Sequence, residues 1–211
     1  MHSLIHILKF LIYHVVILLG IYALCRFCFL IYHFDFDQID VDTFTNLFLY
    51  GMIPDISAII YTNILFILGS LFFTNKSNWL KLLYVVVNSA MVFIMLADIP
   101  FYEYTNQRLS ISFLNINSEF SSNLQRYIWD HKGLLVLWLF LCYFIYKSFS
   151  ISKIKVSFLG RLISIIVVIA FSVLGARGGL GLKPITPYNA NDYVDGRFVD
   201  AWNNSIQTII L

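Results

Sequence analysis

The residues in this chain that can do chemistry are few and gather in short stretches. In Asp98-Ile-Pro-Phe-Tyr-Glu103, followed by Arg108, two carboxylates, a tyrosine pair and a guanidinium lie close together. Arginine presents a planar fork of donors that matches phosphate oxygens, so such a set can hold a lipid headgroup. The same residues can instead tie a loop down through a Glu103–Arg108 pair. A second group is Arg177 and Lys183 within Gly175-Ala-Arg-Gly-Gly-Leu-Gly-Leu-Lys-Pro-Ile-Thr-Pro187. Its glycine-rich backbone beside an arginine can approach a phosphate, but the Gly-Lys-Ser/Thr of a P-loop is missing. Asp55, Asn63 and Asn88 interrupt otherwise apolar stretches and are expected to make interhelical polar contacts, worth about 1 kcal/mol or less for each asparagine. Catalytic and metal sets are absent from the sequence pattern. Cys25-x-x-Cys28 has no second pair or nearby His. Asp35, Asp37, Asp40 and Asp42 lack the central Gly and terminal Glu of a calcium loop, and His2 and His6 have no third ligand. Neither G-x-S-x-G nor H-E-x-x-H occurs. Catalytic residues, metal ligands and a cofactor in this chain are therefore all expected to be none.

What must position these residues follows from composition. Of 211 residues 59% are hydrophobic and only 12% charged, with 20 Phe and a mean hydropathy of +0.78. A soluble domain carries roughly 25% charged residues, and one of this size could not hide so much apolar side chain. The excess must face lipid. A net charge of +2 with no Lys/Arg stripe excludes a nucleic-acid binder. Three cysteines, all in apolar runs, exclude a disulfide framework.

A membrane-crossing helix needs about 20 mostly apolar residues. Five stretches are expected to qualify: Phe10–Ile31, Ile56–Phe73, Leu80–Ala97, Gly133–Phe149 and Phe158–Ala176. The first is too long, and lacks the cleavage pattern, for a signal peptide. The expected fold is thus all-α and polytopic, with five transmembrane helices plus interfacial amphipathic helices. Residues 1–176 form the transmembrane domain, and residues 177–211 an extracytoplasmic linker and juxtamembrane helix. Seven of the 14 basic residues (Lys9, Lys76, Lys81, Lys147, Lys153, Lys155 and Arg161) fall on the side of the N-terminus in short segments without any Asp or Glu. The other seven are spread over long loops that also hold all 12 carboxylates. Dense basic loops are cytoplasmic by the positive-inside rule. The N-terminus is therefore expected inside and the C-terminus outside the cytoplasmic membrane.

Two outer segments carry helical periodicity. In Ser118–His131, Phe120, Leu124, Tyr127 and Ile128 share a face, with Glu119 in the first turn, where the helix dipole favours a negative charge. In the tail, Val199, Trp202, Ile206 and Ile209 line one face, and Asp200, Asn203, Asn204 and Gln207 the other. Each reads as a surface helix lying at the interface or over the bundle. The apolar end Ile209-Ile210-Leu211 suggests that something follows.

Three stretches resemble the membrane region of bacterial lipoteichoic acid synthase-like proteins. They are Gly51-x-x-x-Asp-Ile-Ser-Ala-Ile-Ile-Tyr-x-Asn63, Asp98-Ile-Pro-Phe-Tyr-Glu-Tyr-x-x-x-Arg-Leu109 and Ala176-Arg-Gly-Gly-Leu-x-Leu-Lys-Pro-Ile185, continuing to Asn189-Ala190. The resemblance covers nearly the whole chain. It implies a five-span anchor for an extracytoplasmic domain of the sulfatase/alkaline-phosphatase superfamily that transfers phosphoglycerol or related groups from phospholipid headgroups. That chemistry uses a threonine nucleophile beside a divalent metal. Both belong to a catalytic domain expected beyond Leu211, and neither carries over to this chain. The implied partners are membrane phospholipids and a sulfatase-like catalytic domain or protein. Asp98, Glu103, Arg108, Arg177 and Lys183 are the expected headgroup or domain contacts. The alternative is a small accessory multi-span protein, a lipid-binding or transport-complex subunit, using Asn63, Asn88 and Asp98 as a polar pathway.

Overall fold

A computed structural model of the chain describes residues 2–35, 39–72, 78–110, 129–149, 158–179 and 185–210. Among them no strand occurs. The elements are α1 (His2–His33), α2 (Val41–Phe72), α3 (Asn78–Thr105), α4 (Lys132–Ser148) and α5 (Phe158–Ala176), then two 3-10 turns (Pro187–Asp192 and Gly196–Phe198), α6 (Val199–Trp202) and α7 (Ser205–Ile210). Helices apolar on every side, as α1 and α2 nearly are, belong in lipid or a large core. Three helices are long and apolar enough to cross a membrane: α1, α2 and α3. The other two expected spans are shorter helices of 17 and 19 residues.

Helix α2 begins well before the expected span. The stretch 41–55, expected as part of a loop, is helical and continuous with it, giving 32 residues. At 1.5 Å per residue that is about 48 Å, against a hydrocarbon core of about 30 Å. Its first turns therefore extend past the bundle, where Val41 is 80% exposed. Asp40 starts it: the hydroxyl and N–H of Thr43 hold its carboxyl below the usual carboxylate range, the behaviour of an N-cap. This cap is present at neutral pH and is lost as pH falls through the depressed pKa.

α1, α2 and α3 pack against one another. α4 lies on α3, and α5 on α2 and α1. Successive helices alternate in direction. Ring contacts of His14 with Tyr84, Phe66 and Phe149 (centroids 5.0, 5.6 and 5.4 Å apart) gather the start of α1, the end of α2, the start of α3 and the end of α4. At the opposite end, His131 before α4 meets Tyr32 of α1 and Glu103 of α3. We call this the tail end, because residues 185–209 fold onto it. Midway between the ends, Asn63 and Asn88 exchange amide hydrogen bonds across α2 and α3 (3.0 and 2.8 Å), and each Nδ2 also donates to its own helix, at Ile59 O and Tyr84 O.

α5 stops at a glycine for a geometric reason. Gly179 N donates to Leu174 O and Gly178 N to Gly175 O, both at 3.0 Å, and Gly178 has φ +75°. This is a Schellman C-cap. A Cβ on Gly178 would also lie 2.5 Å from Ile185 Cγ2. Ser57 Oγ donates to Ala176 O at 2.7 Å, and Ile185 N to Arg177 O at 3.0 Å, turning the chain back toward the bundle. The residues expected as a separate linker and juxtamembrane helix thus share one core with the bundle: Ile185, Ala190, Phe198, Ala201, Trp202 and Ile206 are all buried in it. Substituting Asn63→Ala should destabilise the protein in micelles by about 1 kcal/mol. Asn63→Ala with Asn88→Ala should cost less than the sum of the singles, because they break one shared pair; equilibrium unfolding in detergent measures both.

Candidate functional site

The tail end holds the polar chemistry of the molecule, built on two arginines from distant parts of the chain. Arg26 lies about two turns before the end of α1 and is 3% exposed. Its Nη2 donates to Asp55 Oδ1 and to Gly51 O, both at 2.8 Å, on α2. Its Nη1 donates to Ala201 O at 2.6 Å and Trp202 O at 2.5 Å. Gly51 permits this approach, since a Cβ there would sit 2.6 Å from the guanidinium carbon. Pro54, one turn on, withdraws an N–H from the α2 ladder.

Arg108 follows α3 in the chain and turns back over its end. Nη1 pairs with Asp98 Oδ2, Nε donates to Asp200 O at 2.8 Å, and Nη2 to Asn203 O at 2.5 Å. Its guanidinium carbon stands 3.8 Å from the centroid of the Phe29 ring, a cation–π contact. Asp98, wholly buried, also accepts from Leu109 N at 2.6 Å and Ser205 Oγ at 2.8 Å. Asp55 accepts from Asn204 Nδ2 at 2.6 Å. Each carboxylate therefore has a guanidinium and a tail donor, which is what an ion pair needs to persist away from water.

The tail is shaped to these partners. α6 ends with its carbonyls aimed at the two guanidiniums, and α7 begins beside the two carboxylates. Both placements agree with the helix dipole. Asn203 is extended (φ −63°, ψ 145°) and separates the two helices, and Asn204 Oδ1 accepts from Ile206 N at 2.8 Å to start α7. Tyr102 OH donates to Asp200 Oδ2 at 2.9 Å, and Thr208 Oγ1 to Leu109 O at 2.8 Å. Before the tail, Thr186 N donates to Asn189 Oδ1 at 2.9 Å in a capping box ahead of Pro187. Asp195 accepts from Arg197 N at 3.0 Å, and this bond and the Arg197 guanidinium hold its carboxyl below the usual range.

Several expectations change here. The tail is not one continuous surface helix. It is two short helices sunk into the bundle end, and Asn203, Asn204 and Gln207, expected on a solvated face, are buried. Asn204 donates to Asp55 and Gln207 to Ile185 O, so the bundle end meets part of their hydrogen-bonding need. Glu103 does not pair with Arg108. It faces His131 at 3.1 Å, because Asp98 and the tail carbonyls take the guanidinium. Asp98, Arg108 and Asp55 converge in one network, with Glu103 at its exposed edge and Arg177 in the cap of α5. Asn63 and Asn88 lie deeper and pair with each other. Lys183, and residues 118–128 of the expected outer helix, fall outside the described residues. Arg26 is not among the residues expected from the sequence to form the site. The usable signal was a lone cation in an apolar run with a lone carboxylate, Asp55, at matching depth on the next helix.

Compared with protein-family models, curated proteins and solved structures, the chain finds no match in any of the three. Among the described residues no three His, Cys, Asp or Glu side chains gather as a metal site.

Removing one partner of a buried pair strands the other. Asp98→Ala should therefore cost about 3–5 kcal/mol and free the tail, seen as new protease cleavage within residues 193–205. Asp98→Asn, which keeps the shape and an acceptor oxygen, should cost less. Gly51→Val should release the tail without changing any charge, by displacing the Arg26 guanidinium.

Proposed function

We propose that the chain is the membrane anchor of a lipoteichoic acid synthase-like phosphotransferase. In this reading it orients a sulfatase-like catalytic domain or protein toward phospholipid headgroups outside the cytoplasmic membrane. All five long helices cross the bilayer, the N-terminus is cytoplasmic, and the tail end faces outward.

One observation carries the reading. Residues from each of the three stretches that bear the resemblance, far apart in sequence, meet at one end of the bundle. Gly51 and Asp55 hold Arg26, Asp98 holds Arg108, and Ala176 accepts from Ser57. Both ion pairs then clamp residues 200–204. A tail held by buried charge pairs has a fixed orientation, which is what an anchor must give a module that works at headgroup height. The alternation of helix directions and the density of basic residues in the short segments on the side of the N-terminus support the orientation, by the positive-inside rule. The accessory-protein alternative draws on a polar pathway through Asn63, Asn88 and Asp98. Those groups are committed to one another, to their own helices and to Arg108.

Alkaline phosphatase fused after residue 211 should be active and a fluorescent protein at the same position dark. The reverse result refutes the outward tail. The purified chain should release no phosphoglycerol from phosphatidylglycerol with added divalent metal; metal-dependent turnover by this chain alone would refute a purely anchoring role.

A further inference from the structure

Four guanidinium N–H bonds from two arginines grip four successive carbonyls of one segment: Asp200 and Asn203 from Arg108, Ala201 and Trp202 from Arg26. A guanidinium fork of this kind is suited to clustered oxygens, above all those of a phosphate. We infer that Arg26 and Arg108 form a receptor for the phosphate of a membrane phospholipid, and that residues 200–203 cover it as a displaceable lid.

The bundle keeps what the receptor needs when the lid leaves. Arg26–Asp55 links α1 to α2, and Arg108–Asp98 closes the end of α3, so both ion pairs lie within the bundle, and the tail donors that complete them, Asn204 and Ser205, lie beyond the lid segment. Each guanidinium shows one edge to its carboxylate and another to the tail. The tail edge cannot stand bare, because unmet N–H groups of a charged side chain beside Phe29 and Met95 are costly. The tail is therefore exchanged for a ligand rather than simply lifted. The replacement must bring several acceptor oxygens at once, and a phosphodiester does so.

The lid side is less well satisfied. Trp202 Nε1, Asn203 Oδ1 and Gln207 Oε1 are buried without a hydrogen-bond partner among the described residues. They regain water on release, which lowers the cost of the exchange. Asn203 lines a small cavity with Cys25, Arg26, Phe29, Met95, Arg108 and Ser205. This opening between the two guanidiniums has room for about one water-sized group, the size of an entering phosphate oxygen. The surrounding rim suits a headgroup layer, with Tyr32, Tyr104 and Trp129 all exposed. The inference needs no transferase and no particular leaflet, and it makes the tail's fixed orientation a property of the closed state, with residues 200–203 in place.

The test uses the full chain in maltoside micelles with Trp79, Trp129 and Trp138 replaced by Phe. Trp202, fully buried and stacked on Tyr193 (interplanar angle 7°), is then the only reporter. Phosphatidylglycerol should raise acrylamide quenching of Trp202 in a saturable way, while inorganic phosphate or diacylglycerol at equal concentration should leave it shielded. Arg26→Lys and Arg108→Lys should weaken the response. Tyr102→Phe keeps both ion pairs and removes one tether on Asp200. It should bring the midpoint to about tenfold less lipid, the worth of one hydrogen bond to a carboxylate. Continued shielding with phosphatidylglycerol in both the parent and Tyr102→Phe overturns the proposal. Equal exposure by diacylglycerol overturns phosphate recognition, and exposure by inorganic phosphate overturns the assignment to a lipid.

Discussion

A guanidinium taken out of water must find a carboxylate, and its remaining donors must find oxygens, or the helix that carries it cannot stay where it is. Arg26 and Arg108 impose that requirement on the tail end of the bundle. Asp55 and Asp98 answer the charge, and the carbonyls of residues 200–203 answer the remaining donors. Much of the local structure follows. Gly51 has no side chain because a guanidinium lies against it. The tail is broken at Asn203 because one helix end must face cations and the next helix start must face anions. Asn204 and Ser205 are polar and buried because each carboxylate has an acceptor site left over.

The two ends of the bundle solve the problem of charge in opposite ways. Among the described residues the carboxylates fall toward the tail end, where cations can be paired and buried. At the far end, among the described residues, two lysines meet aromatic rings. Lys81 Nζ lies 3.4 Å from the centroid of the Tyr146 ring, across α3 and α4, and Lys147 lies 5.6 Å from that of Tyr143. Rings accept an ammonium without neutralising it, and the long stems let the charge reach the headgroup layer. One end is thereby closed by internal pairing, while the other keeps its positive charge available to its surroundings.

Much of the fold was legible because apolar length is a local property. Runs such as Phe10–Ile31 and Leu80–Ala97 identify α1 and α3 directly, since a backbone in lipid must satisfy its own hydrogen bonds. The site was legible only in part. Asp98 and Arg108 stand close in sequence and declared themselves, yet their partners did not. Glu103 is nearer to Arg108 along the chain than Asp98 is, but one helical turn matters more than chain distance, and Asp98 lies beneath the guanidinium. The tail misled for a related reason. The spacing of Val199, Trp202, Ile206 and Ile209 is that of an amphipathic helix, and a pattern of polar residues reads as solvated unless a buried charge is known to wait for them.

The sequence by itself determined that the chain is helical and apolar enough to enter a membrane, and that its carboxylates and densest basic segments fall in different stretches. These follow from composition and period, which neighbouring residues settle among themselves. Only the tertiary structure decided that Arg26 meets Asp55 and that both arginines bind the tail. It also decided that the tail's polar residues turn inward. Those contacts join residues from different parts of the fold, up to 176 positions apart, and their energy comes from removing water around charges, a property of the assembled bundle end that no single segment possesses.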